Sequence, residues 1–274
     1  SLFGNSTSIT LLIPALVALL TIYQGHKFLQ ITDWGKFLYL IFCMSLTCVM
    51  NYFNIGVIDR SFGGLDRLDH WFVMMERHLP FFPISIFVQQ KLLTFPRFST
   101  FFYDSLILVY YCYFFISIYC AIVFYRHCAE DRKYLVGGVA LITLWCYQIN
   151  NLLYLVVPVT GPQYYLSHLF TEQSAKFPFS IFGKTLYHMM QTTQGTFIDC
   201  FPSGHFAMCI LASVFFYRLK ARHFYFMLFL SLWIGLATVL LRYHYILDLV
   251  ASFPLVLFAF IIGGKFYPEK VTPV

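Results

Sequence analysis

Seven stretches of this sequence are almost wholly apolar: 8–24, 37–57, 101–125, 134–157, 203–218, 223–241 and 245–263. A helix that crosses a bilayer needs about 20 such residues, and in lipid every backbone N–H and C=O must find its partner inside the protein. Only helices or a closed barrel meet that condition, and runs of this length mark helices. The run 203–218 is short and draws on the residues before it to reach a full span. No soluble domain remains when the seven runs are removed, and no internal repeat stands out. The chain of 274 residues is 59% hydrophobic and only 11% charged, against about 25% charged in a soluble domain. The expected fold is therefore a single all-α membrane domain over 1–274, a bundle of six to seven transmembrane helices. The first run has no basic segment before it and no small-x-small cleavage site, so it reads as a retained helix rather than a signal peptide.

Two long connections interrupt the bundle. The segment 58–100 mixes Asp59, Arg60, Asp66, Arg67, Asp69, Glu76 and Arg77 with the apolar run Phe81 to Val88, broken by Pro80, Pro83 and Pro96. That mixture suits helices lying in the membrane interface, or a re-entrant hairpin. The segment 158–202 is too long for a turn and is expected to fold over a site. Lys27, Lys36, Arg126, Arg132, Lys133, Arg218, Lys220, Arg222, Lys265 and Lys270 fall on one side of the bundle, mostly in short loops. Basic short loops stay in the cytoplasm, so 158–202 becomes a long extracytoplasmic loop facing a periplasm or an organelle lumen. The net charge of +6 is spread over these loops, which argues against a nucleic-acid partner. Cys43, Cys48, Cys112, Cys120, Cys146 and Cys209 sit inside apolar runs without CxxC spacing and read as packing residues, while Cys128 and Cys200 fall on opposite faces.

Chemistry concentrates at two helix ends. The first is Phe201-Pro202-Ser203-Gly204-His205. Pro suits a first helical position, Gly lets a ligand approach the backbone, and the unpaired first-turn N–H groups make an anion site. Ser203 adds a hydroxyl, and His205 can move a proton beside the anion. The second is His244-Tyr245-Ile246-Leu247-Asp248, where i,i+4 spacing puts the imidazole and the carboxylate on one helical face. A carboxylate on one ring nitrogen fixes the tautomer and makes the other nitrogen a nucleophile. The topology puts both ends on the same side. A lone His at a helix end, such as His26, His70, His78, His127 or His223, is by contrast an ordinary interfacial residue.

Pro-Ser-Gly-His followed by His-x3-Asp at the next helix junction resembles the type 2 phosphatidic acid phosphatase superfamily, which contains lipid phosphatases, polyprenyl-pyrophosphate phosphatases and vanadium haloperoxidases. The resemblance covers residues 100–263, the expected catalytic core. It implies that His244 attacks phosphorus to give a phosphohistidine, that Asp248 orients it, that His205 protonates the leaving oxygen, and that Ser203 and the Gly204 amide hold phosphate oxygens. Two features depart from the family pattern. Lys-x6-Arg-Pro is absent, with Pro158-Val159-Thr160-Gly161-Pro162-Gln163-Tyr164-Tyr165 at the equivalent place. The Arg expected six residues before the second histidine is Thr238. The bare His-Tyr-x-x-Asp is similar to the inositol phosphorylceramide synthase and sphingomyelin synthase branch, whose members move a phospho-head-group between lipids.

With those cations gone, Arg242 is the leading candidate to hold phosphate, since a guanidinium can chelate two oxygens. Lys184 and His188 are secondary candidates, and Gln163, Tyr164 and Tyr165 could contact a head group. No metal or other cofactor is called for, because a helix end and cations suffice to hold the phosphate and there is no Asp/Glu-rich magnesium site. The resemblance implies a membrane enzyme, in a bacterial inner membrane or a eukaryotic endomembrane, that transfers a phospholipid head group to a lipid hydroxyl such as ceramide or diacylglycerol. A lipid phosphate or polyprenyl pyrophosphate phosphatase is the alternative. A non-catalytic lipid-binding or transport protein is the third reading.

Overall fold

A computed structural model describes residues 34–61, 65–127, 134–170, 176–194, 196–218 and 223–265. The apolar run 8–24 lies outside them. The described chain is all helical: α1 (Trp34–Ser61), α2 (Asp69–Glu76), α3 (Ile84–Leu92), α4 (Pro96–His127), α5 (Tyr134–Val156), α6 (Pro162–Tyr165), α7 (Ile181–Thr193), α8 (Gly204–Arg218), α9 (Phe224–Leu240) and α10 (Ile246–Lys265), with a short 3-10 turn over Ser167–Leu169. Among the described residues the only extended pairing is one bridge between Val159 and Asp199.

The long helices form where long apolar runs leave no other way to satisfy the backbone. Helix α4 begins at Pro96, whose fixed φ suits a helix start and whose missing N–H costs nothing there. Helix α8 begins one residue after Ser203, whose hydroxyl accepts from the Phe206 N–H, 3.4 Å away. Pro202 therefore precedes the cap instead of occupying the first helical position. Two helices, Pro96–Arg126 and Gly138–Val156, are long and apolar enough to cross a membrane; Gly204–Arg218, Phe224–Leu240 and Ile246–Ile261 are apolar but shorter. The segment 81–95 gives only the nine-residue α3, about 14 Å long and too short to span.

The largest core cluster joins α4, α5, α8, α9 and α10 through Phe124, Cys146, Cys209, Phe216, Ile234 and Ala259. The outer faces are apolar as well, with Phe115, Leu152, Phe229 and Leu257 each more than half exposed. A bundle apolar inside and out suits a lipid solvent.

Two buried carboxylates on α2 tie the loops to the bundle. Asp69 accepts from the Thr160 and Gly161 N–H groups, each at 2.9 Å, and from the Tyr245 hydroxyl at 3.0 Å. Glu76 accepts from the Leu247 N–H at 3.1 Å and so caps α10. The 58–100 connection thus does more than lie in an interface, because it fixes the start of the helix that carries Asp248. Gly161 is locked beside it at φ +90°, with its α-carbon so close to Tyr243 that a Cβ would sit 2.6 Å from the Tyr243 carbonyl oxygen.

Candidate active site

The starts of α8 and α10 are joined through backbone. The Ser203 N–H donates to the Asp248 carbonyl at 3.1 Å, and the Ser252 hydroxyl, between the two helices, lies 2.9 Å from both the Ser203 and Asp248 carbonyls. This brings His205 and His244 together, with ring centroids 5.8 Å apart. His244 is 3% exposed. Its Nδ1 lies 2.8 Å from the Cys200 carbonyl oxygen and 3.3 Å from Asp248 Oδ2. Those two acceptors fix Nδ1 as the protonated nitrogen and leave Nε2 for the cavity. Asp248 is fully buried, and its Oδ2 also accepts from the Tyr245 N–H at 2.7 Å and the Cys200 thiol at 2.8 Å.

His205 is held from α4. The Tyr110 hydroxyl is 3.0 Å from its Nε2, and the Tyr110 and Tyr113 rings pack against the imidazole at 4.8 and 4.4 Å. Gly204 is a close-approach glycine, since a Cβ there would meet Asn150 Nδ2 at 2.8 Å and the Tyr154 hydroxyl at 2.9 Å.

Both histidines line a cavity of about 330 Å³, together with Gly204, Gln163, Asn150, Asp199 and several tyrosines. None of its described lining residues is Lys or Arg. Asp199 is its carboxylate, accepting from the Tyr52 hydroxyl at 2.7 Å. Burial raises the Asp199 pKa, while the Tyr52 hydrogen bond and the neighbouring His244 oppose the rise. Burial, with the Asp248 charge beside it, pushes the Cys200 thiol well up. Burial raises Glu76 to about 7, the Leu247 N–H opposing and the Asp248 charge adding to the rise.

The predicted residues divide clearly. His205, His244, Asp248 and Gly204 come together, and Gln163 joins them at the cavity wall. Ser203 is fully buried and serves as the α8 cap. Arg242 turns away. It sits at the end of α9 in a left-handed conformation, φ +67°, the position that usually takes Gly after a helix. Its guanidinium lies over the Phe170 and Phe177 rings at 4.1 and 4.6 Å and bonds Gln89. Tyr164 donates to Gln194 at 2.9 Å. Tyr165 lines a different surface cavity with His70, Arg77 and His168, and Lys184 and His188 are exposed on α7.

Sequence reasoning missed Asp69, Glu76, Tyr110, Asp199 and Cys200. Asp69 and Glu76 are seven residues apart, which puts both on one face of α2. Asp199 and Cys200 lie only four and three residues before Ser203, yet adjacency alone does not tell which way their side chains turn. Cys48, Cys112, Cys120, Cys146, Cys200 and Cys209 are free thiols, and Cys200 packs among Phe72, Val159 and Leu166 while its thiol also reaches Asp248.

A family model described as the PAP2 superfamily matches residues 70–262. A PA-phosphatase related-family protein of Dictyostelium discoideum is 27% identical over 118 residues, 42% of this chain but only 21% of that relative's length. No solved structure matches the chain.

Proposed function

The chain belongs to the PAP2 superfamily, a family of phosphatases and phosphotransferases, and we propose that it moves the phospho-head-group of a membrane phospholipid onto a lipid hydroxyl through a phosphohistidine on His244. In the first half-reaction His244 Nε2 forms a bond to phosphorus, the phosphorus bond to the glyceride oxygen breaks, and His205 supplies the proton to that oxygen. Asp248, on Nδ1, stabilises the imidazolium that develops. The Gly204 amide, at the N-terminus of α8, and the amides of Gln163 and Asn150 receive the phosphate oxygens. In the second half-reaction an acceptor hydroxyl such as that of ceramide or diacylglycerol forms a bond to phosphorus and gives its proton to His205, while the Nε2–phosphorus bond breaks and its electron pair returns to His244.

The observation that carries transfer over hydrolysis of a monoester is the wall of the cavity. Its described residues offer amides, hydroxyls, imidazoles and one carboxylate, but no Lys or Arg. A phosphodiester with one negative charge is held more easily there than a dianionic monoester. Arg242, the expected cation, stays outside this wall. Tyr164, Tyr165, Lys184 and His188 also stay outside this wall. A second reading, hydrolysis of a lipid phosphate or a polyprenyl pyrophosphate, is supported by the name of the Dictyostelium relative and shares the first half-reaction.

We infer further that α1, α4, α5, α8, α9 and α10 cross the bilayer, and that the cavity opens away from the cytoplasm. The apolar outer faces and the basic loop around Arg218 support this. Purified protein incubated with head-group-labelled phospholipids, with and without ceramide or diacylglycerol, tests the reaction. An acceptor-dependent labelled lipid is the expected product. Release of water-soluble labelled phospho-head-group, or of free phosphate from lipid phosphates run alongside, whatever the acceptor would establish the phosphatase reading instead.

A further inference from the structure

Three donor atoms of different chemistry converge behind the proposed nucleophile. Cys200 Sγ, His244 Nδ1 and the Asp248 carboxylate lie within 4.8 Å of one another. Their residues are 2%, 3% and 0% exposed. Sγ is 3.6 Å from Nδ1, Nδ1 is 3.3 Å from Oδ2, and Sγ is 2.8 Å from Oδ2. Three donors on the corners of a tetrahedron around zinc, at ordinary Zn–S, Zn–N and Zn–O lengths, stand about 3.3–3.6 Å apart. Two of the three edges already have that length. The third is a thiol–carboxylate hydrogen bond, which lengthens once its proton is gone. A separate observation points to the same spot, because the other carboxylate oxygen, Asp248 Oδ1, is buried without a hydrogen-bond partner and can complete the donor set. His244 lines the cavity, and Cys200 and Asp248 lie on its Nδ1 side.

We propose that Cys200, His244 and Asp248 form an inhibitory binding site for a borderline-soft divalent cation, with zinc as the best fit. Thiolate and imidazole select zinc over magnesium or calcium, which prefer oxygen. On binding, the Cys200 S–H bond breaks and its proton leaves to solvent, while the proton on Nδ1 is exchanged for one on Nε2. One proton is released per ion, and Nδ1, Sγ and the carboxylate each donate an electron pair to the metal. Nε2 then carries a proton where the lone pair that attacks phosphorus would be. Inhibition by this route rests on the reading of His244 as the nucleophile; binding of the ion does not.

The test uses the purified full chain in detergent with a phosphine reductant and chloride salts of zinc, cobalt and magnesium. The expected result is one zinc retained per chain after gel filtration, and a thiolate-to-cobalt charge-transfer band on adding cobalt. Cys200→Ser, which keeps a hydroxyl donor for Asp248, should weaken both by at least about tenfold. Cys112→Ser, on a half-buried thiol outside the group, should change neither. If Cys200→Ser does not fold, Asp248→Asn provides the same comparison. Absence of the cobalt band, or a band that survives loss of Cys200, overturns the site. Lipid cleavage is followed in parallel. His244-dependent cleavage without any cobalt band rejects the metal site and leaves the reaction standing. A Cys200-dependent band in a protein whose cleavage ignores His244→Ala upholds the site and rejects the reaction. When both hold, zinc should inhibit reversibly with a chelator, and at least about tenfold less in Cys200→Ser.

Discussion

Glu76 gives the sharpest test of how the site is anchored. The residue is 6% exposed, and its carboxylate caps α10 through the Leu247 N–H and has its pKa raised from 4.5 to about 7. A carboxyl raised by folding holds its proton more tightly when folded. Below about pH 4.5 both states are protonated, and the group contributes no pH dependence. Between 4.5 and 7 the unfolded chain loses the proton first, so stability falls as pH rises. Above 7 the folded protein carries the full cost of a buried charge, about 3 kcal/mol for a shift of this size. Glu76→Gln removes the charge and keeps an oxygen for the Leu247 N–H. The variant should match the wild type at pH 4.5 and exceed it at pH 8 by about 3 kcal/mol, or roughly 6–12 °C in Tm for a chain of this size. Thermal unfolding followed by intrinsic fluorescence in detergent, at pH steps from 4.5 to 8, reads this directly. A variant no more stable than wild type at pH 8, or one that keeps the same loss of Tm between pH 5 and 7, would refute the burial argument.

Gly204→Ala should drive a methyl into Asn150 and Tyr154, costing about 1–3 kcal/mol and displacing the α8 amide, so kcat/KM measured on labelled phospholipid should drop more than the Tm alone explains. Asp69→Asn should leave one of three donors facing an amide N–H, lowering stability by about 1.5–3 kcal/mol and raising KM as the Gln163 loop loosens. Denaturant unfolding and steady-state kinetics would separate the two effects. Arg242→Lys should lose the planar contact with Phe170 and Phe177 and lower the Tm, whereas a ligand of substrate phosphate would raise KM without changing the Tm.

Much of this architecture is legible in the sequence. The expected runs 203–218, 223–241 and 245–263 became α8, α9 and α10 within two residues at either end, because a long apolar run has one way to satisfy its backbone. His205, His244 and Asp248 met as the i,i+4 spacing and the shared helix ends implied. The all-helical fold and the superfamily followed from the same residues. What the sequence hid were side chains whose direction depends on irregular backbone. Arg242 lies two residues from His244, yet its left-handed backbone turns the guanidinium toward Gln89. Asp69 and Glu76 looked like interfacial charge because nothing in 58–100 says which face of a short helix is covered. The contact of the Cys200 thiol with Asp248 was hidden because a thiol beside a carboxylate requires two distant helix ends to be already joined.

The central claim is the covalent step at His244, and trapping it is the most direct measurement. Protein quenched in base after brief exposure to lipid labelled in its phosphate should carry an acid-labile, base-stable label on the peptide containing His244, and none in His244→Ala. Turnover without such a label, or a label that persists in His244→Ala, would contradict the account.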